Sequence, residues 1–128
     1  MKTNKIIYWV TTGIIAGMML FSAYAYLTNE QMKGAFVHLG FPDYFRVELA
    51  VAKIIGALIL LVPGIPKLVK EFAYFGFAIT FVSAFIAHSA SGDPVSVAMT
   101  PLLFLAVLAI SYFFSFKTNP VSKQLITI

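Results

Sequence analysis

The stretch IIYWVTTGIIAGMMLFSAYAYLT, residues 6–28, contains no Asp, Glu, Lys or Arg. An α-helix rises about 1.5 Å per residue, so roughly 20 such residues cross a hydrocarbon core about 30 Å thick. This segment is long enough to span, and its apolar character does not alternate as a strand would. Lys2 and Lys5 before it, with Ala23-Tyr24-Ala25 near its end, also fit a cleaved signal peptide. The apolar run exceeds the usual 7–15 residue signal core, so we expect the segment to be retained.

Three more apolar stretches follow, at about 42–62, 72–91 and 95–116. The second carries Arg46, Glu48 and Lys53 in its first half. Pro63-Gly64-Ile65-Pro66-Lys67 breaks the chain by proline ring sterics, and Gly92-Asp93-Pro94 makes a tight turn. Asp93 reads as the N-cap of the fourth span and Pro94 as its first helical residue. Pro101 then either kinks that helix or marks a membrane-crossing part that begins there, with Thr100 as cap. The expected fold is all-α: one domain over residues 1–128, a bundle of four transmembrane helices with a short extracytoplasmic segment between the first two.

Composition agrees. Hydrophobic residues make up 60% of the 128 positions and charged ones 11%, against about 25% charged in soluble domains. Mean hydropathy is +0.91. The absence of cysteine excludes disulfides, thiolate metal sites and thiol redox chemistry in this chain. The formal charge of +4 comes from scattered basic residues with no basic run, so it points to membrane orientation and not to nucleic acid. Lys2, Lys5, Lys67, Lys70, Lys117 and Lys123 fall on one side; Lys33 and Arg46 fall on the other, with Lys53 inside the second span. The positive-inside bias then places both termini in the cytoplasm. Tyr8, Trp9, Tyr24, Tyr26, Tyr44 and Tyr112 suit the interfacial aromatic belts.

In the outer segment, residues 29–41, Met32, Ala35, Phe36 and Leu39 form an apolar helical stripe, while Glu30, Lys33, Val37 and His38 fall elsewhere on the wheel. The pattern fits a short helix on the outer surface or a loop folded over the bundle mouth.

Ionisable residues at membrane depth cost about 2.5–3.5 kcal/mol at the centre of a span, so they head the list of functional candidates. Lys53, His88, Glu48 and Asp93 all fall in the outer half and are the candidate ligand-binding residues. Lys53 and His88, at matching depth on neighbouring helices, are expected to approach each other or share a polar cavity. The plainer alternatives are a Lys53 that snorkels to the interface and a His88 hydrogen-bonded to a neighbouring helix. His88 shares a stripe with Tyr74, Phe77, Phe81 and Ala84, and the small Ala84, Ala87 and Ser91 adjoin it. No metal site is expected, because one intramembrane histidine and no cysteine make a poor ligand set; nothing supports a heme on His88 alone. Gly13 and Gly17 form a GxxxG pair that favours close helix packing, in the bundle or between copies in a homo-oligomer. Glu71 beside Lys67 and Lys70 reads as a solvated helix start.

The string Lys70-Glu71-Phe72-Ala73-Tyr74-Phe75-Gly76-Phe77, then Ser83-Ala84-Phe85-Ile86-Ala87-His88 and Gly92-Asp93-Pro94, resembles the DoxX-like family of small bacterial membrane proteins. So does His38-Leu39-Gly40-Phe41-Pro42 followed by Glu48-Leu49-Ala50-Val51-Ala52-Lys53-Ile54-Ile55-Gly56-Ala57 and Pro63. The likeness covers roughly residues 7–116, with Phe72 where tryptophan is common. It implies a four-helix bundle in the bacterial cytoplasmic membrane, and far less about activity. Relatives include membrane subunits linked to thiosulfate:quinone oxidation and to oxidative-stress complexes, and distant ones look like assembly chaperones.

Two functions follow as expectations. One is an accessory membrane subunit of a quinone-linked redox system, holding a quinone or lipid near the outer leaflet for a membrane or peripheral partner protein. Such a chain carries no electrons itself and is not expected to be an enzyme alone. The other is a non-catalytic scaffold, chaperone or small channel whose buried polar groups hold the bundle together.

Overall fold

The computed structural model describes residues 2–118, so Lys123, counted above among the orientation charges, lies outside the described residues. Five helices make up the fold: α1 Lys2–Thr28, α2 Glu30–His38, α3 Asp43–Leu61, α4 Lys67–Ala90 and α5 Val95–Thr118. There is no strand among the described residues. The four long helices form a closed ring in which α1 packs on α3 and α5, and α4 on α5 and α3. Successive long helices run in opposite directions, so the start of α1, the α3–α4 turn and the end of α5 gather at one end of the bundle.

Helix spacing explains the ring. Buried positions recur in steps of three and four: Tyr8, Thr12, Ile15 and Met19 on α1; Arg46, Ala50, Lys53, Ala57 and Leu60 on α3; Tyr74, Phe77 and Phe81 on α4. That is the seam of helices packed at shallow angles. Gly56 is required where α3 meets α4, because a Cβ there would lie 2.7 Å from Cζ of Phe77. Outward faces are apolar too, with Phe21 at 71% and Phe72 at 68% exposure. Rings so exposed around a whole bundle find their solvent in lipid.

Three helices, α1, α4 and α5, are long and apolar enough to cross a membrane. The expected second span coincides with α3, which carries Asp43, Arg46, Glu48 and Lys53, more charge than any of the other three holds. Its lipid-side face is nevertheless apolar, through Val47, Val51, Ile55 and Leu58, while Arg46 and Lys53 turn inward.

Of the two alternatives for residues 29–41, the helix is the one formed: α2 lies against α3 and α1. Asn29 caps it by accepting a bond from the Gln31 amide at 2.8 Å. Phe36 is its buried anchor, edge-on to Tyr26 and beside Phe41 and Phe45. α2 and α4 end alike. Gly40 and Gly92 take φ of 85° and 77°; beyond them the amide of Phe41 bonds back to the Phe36 carbonyl, and that of Asp93 to the His88 carbonyl.

Two local expectations are corrected. Pro94, not Asp93, offers the carbonyl that opens α5, accepting from Val97 and Ala98, because the Asp93 carboxylate is engaged elsewhere. α5 also begins before Pro101 and runs through it, with Thr100 bonded back to the Ser96 carbonyl, so Thr100 caps nothing.

Candidate functional site

At the α2 end, the paired helix stops aim two imidazoles at one carboxylate. Asp93 Oδ2 lies 2.6 Å from His88 Nδ1, and its Oδ1 lies 2.8 Å from His38 Nε2. His38 is the last residue of α2 and His88 is in the last turn of α4, so Asp93 ties α2 to the α4–α5 turn. Hydrogen bonding to His88 first, and to His38, holds the Asp93 carboxyl below its ordinary value. His88 therefore meets Asp93, where the sequence expectation had paired it with Lys53. His38 joins them although its place off the apolar stripe gave no sign of it. Among the described residues, no three His, Asp or Glu side chains are placed to hold a metal ion.

Lys53 has other partners. Its ammonium donates to Ser22 Oγ at 2.8 Å and sits 3.8 Å above the Tyr26 ring. It is buried against α1, and no bond among the described residues joins it to His88. One helical heptad earlier, Arg46 is also buried: it donates to the Asp43 carboxylate and to the Tyr26 carbonyl. That carbonyl belongs to the last turn of α1, where carbonyls lack helical partners and the dipole favours a cation. Sequence reading had counted Arg46 only as an orientation charge. Glu48 is exposed and makes no hydrogen bond or ion pair among the described residues. The four expected candidates thus separate into one engaged pair, one residue buried at a helix seam and one on the surface.

The opposite end differs. A cavity of about 390 Å³ opens among the start of α1, the α3–α4 turn, the first half of α4 and the end of α5. Lys5, Lys67, Lys70, Tyr8, Trp9 and Ser115 line it, with Glu71, Tyr74 and Tyr112 at its inner wall. Glu71 is not simply solvated: the Tyr112 hydroxyl donates to its two oxygens at 2.9 and 3.1 Å. Below it, Tyr74 and Thr12 both bond to Ser111 Oγ, at 2.7 and 2.6 Å. This hydroxyl chain ties α1, α4 and α5 together in the core. Glu71, Tyr74 and Tyr112 also line a second cavity of about 310 Å³ between α4 and α5, whose other walls are Phe75, Ala78, Leu105, Leu108 and Ala109. A polar chamber thus shares a wall with an apolar one. Sequence reading missed both, because Tyr8, Trp9 and Tyr112 pass as belt aromatics; the hydroxyls of Thr12 and Ser111 inside apolar spans were the available signal.

Gly13 and Gly17 pack on nothing within the chain, since an added Cβ at either would meet no atom within 4 Å. Any packing through that pair lies outside the bundle.

Apolar helices enclosing buried polar groups define a small all-helical membrane protein. A model of the DoxX-like family matches residues 10–111. The chain belongs to that family, as its motifs suggested. Neither a curated protein nor a solved structure matches it.

Proposed function

We propose that this protein crosses the bacterial cytoplasmic membrane four times with both termini cytoplasmic, and that it is an accessory subunit holding a lipophilic molecule for a partner. α3 supplies the fourth span: its 19 residues reach roughly 28 Å at 1.5 Å per residue, with Arg46 and Lys53 turned inward and an apolar face of Val47, Val51, Ile55 and Leu58 outward. The observation that carries the ligand reading is the pair of adjoining cavities sharing Glu71, Tyr74 and Tyr112. A few polar groups beside an apolar chamber are what a lipophilic ligand with a polar head requires. This moves the ligand away from the outer-leaflet position expected from His88 and Lys53, whose polar atoms are engaged within the chain. The link to a quinone system rests on the family resemblance alone.

A scaffold is the second reading, favoured by the closed His38–Asp93–His88 cluster. Mass spectrometry of protein purified in mild detergent separates the two: a ligand reading expects a stoichiometric quinone or lipid, a scaffold none. Reporter fusions after Thr28, Pro63, Asp93 and the C-terminus should read outside, inside, outside, inside.

A further inference from the structure

We infer that the two adjoining cavities form one site for an anionic phospholipid, its phosphate among Lys5, Lys67 and Lys70 and an acyl chain along the α4–α5 cleft. The inference deepens the ligand reading above and rests on it.

Charge selects the head. The polar chamber presents three ammonium groups and one carboxylate, Glu71, whose two oxygens share the Tyr112 hydroxyl. Among the described residues none of the three lysines has an ion pair; Lys70 reaches the neutral Tyr8 hydroxyl at 3.3 Å, and Lys67 lies 4.9 Å from the Phe116 ring centroid. Residues 119–128 contain no Asp or Glu side chain. The chamber thus holds excess positive charge beside a void, which an anion fills better than a neutral quinone carbonyl does.

Shape selects the tail. A free phosphate would occupy only the first chamber. The second is bounded by Phe75, Ala78, Leu105, Leu108 and Ala109 and opens between two lipid-facing helices, as an acyl chain entering from the bilayer requires. The Glu71–Tyr112 pair stands where the two meet and marks the level of the glycerol backbone.

The test uses the full chain in vesicles of equal phosphatidylglycerol and phosphatidylcholine, with native mass spectrometry of the lipids retained after extraction. We expect phosphatidylglycerol to be retained preferentially. A Lys67→Gln/Lys70→Gln variant should lose roughly fivefold in that preference per lysine, and Lys33→Gln, at the other end, none. Ala109→Phe, at an exposed position, should lower retention of both lipids by filling the cleft. Equal retention of the two lipids by the wild-type chain would overturn the inference without reference to any variant. An unchanged preference in the double variant, or undiminished retention in Ala109→Phe, would also overturn it. A co-purified neutral quinone in place of phospholipid would remove this inference and leave the ligand reading standing; an empty chain would remove both.

Discussion

The two ends of the bundle handle charge in opposite ways. At the histidine end the clustered charges are paired: both Asp93 oxygens carry imidazoles, and Arg46 is shared between Asp43 and the end of α1. α2 lies over that end and packs it with aromatic rings. At the lysine end no helix among the described residues covers the bundle, three ammonium groups face one engaged carboxylate, and a cavity of about 390 Å³ remains. A closed polar network holds helices together; open charge beside a void invites a ligand. The contrast assigns architecture to the end where chemistry was first expected, and binding to the end that had been read as orientation signal.

Removing the carboxylate that closes the first network should have the largest effect. Asp93→Ala leaves His38 and His88 without their common acceptor, so α2 loses its tie to α4 while keeping Phe36. Amide exchange in α2 should accelerate on the order of tenfold or more. Lipid retention at the lysine end should not change. Loss of the retained lipid in this variant would show that the ends are coupled and would break the comparison.

Acid should open the same latch, but late. A carboxyl whose folded pKa lies below its ordinary value of 3.8 contributes stability above that value and loses it as pH falls through the lower, folded one. α2 protection should therefore persist from pH 7 to 5 and fail only below 3.8. Undocking well above pH 3.8, read by proteolysis of the 29–41 segment, would show that the Asp93 carboxylate is not what holds α2.

Much of this arrangement was legible in the sequence. Spacing exposed α2 through Met32, Phe36 and Leu39, but depth paired His88 with Lys53, whereas the bundle joins His88 to Asp93. His38 lies 55 residues from Asp93, and no local pattern reports a contact that only the closing of a bundle creates. Charge on α3 carried mixed information: it marked Lys53 as special and at the same time made the helix less apolar than its neighbours. The lysine-end cavity was hidden for another reason. A void is a property of side chains that fail to meet, and each of its wall residues had an ordinary explanation alone.

Lys53 tests whether inward charge is needed between the two ends. Its ammonium is buried against α1, with one hydroxyl and one ring as partners. Lys53→Met keeps the stem and removes the charge, and Ser22 can turn its hydroxyl back to its own helix. Replacing a buried ion with an apolar residue of similar volume is often neutral or stabilising. We expect a change within about 1 kcal/mol in denaturant unfolding, and unchanged lipid retention. Loss of the retained lipid from a well-folded Lys53→Met chain would restore Lys53 as a ligand residue.

The last comparison belongs to α1, which runs between both ends. Gly13 and Gly17 lie on its exposed side, and an added Cβ at either meets nothing within 4 Å. Within one chain nothing requires glycine there, and glycine inside a helix is less favourable than alanine by roughly 0.5–1 kcal/mol. The Gly13→Ala/Gly17→Ala variant should therefore unfold slightly later than the parent, with both ends unchanged in α2 exchange and lipid retention. A homo-oligomer closed through this face reverses the sign, because the methyl groups would hold the partner helices apart. Crosslinking in vesicles alongside the unfolding curve decides between them. A stabilised variant with an unchanged crosslinking pattern leaves the glycines facing lipid; a destabilised one that also loses a crosslinked dimer makes this face an interface between copies.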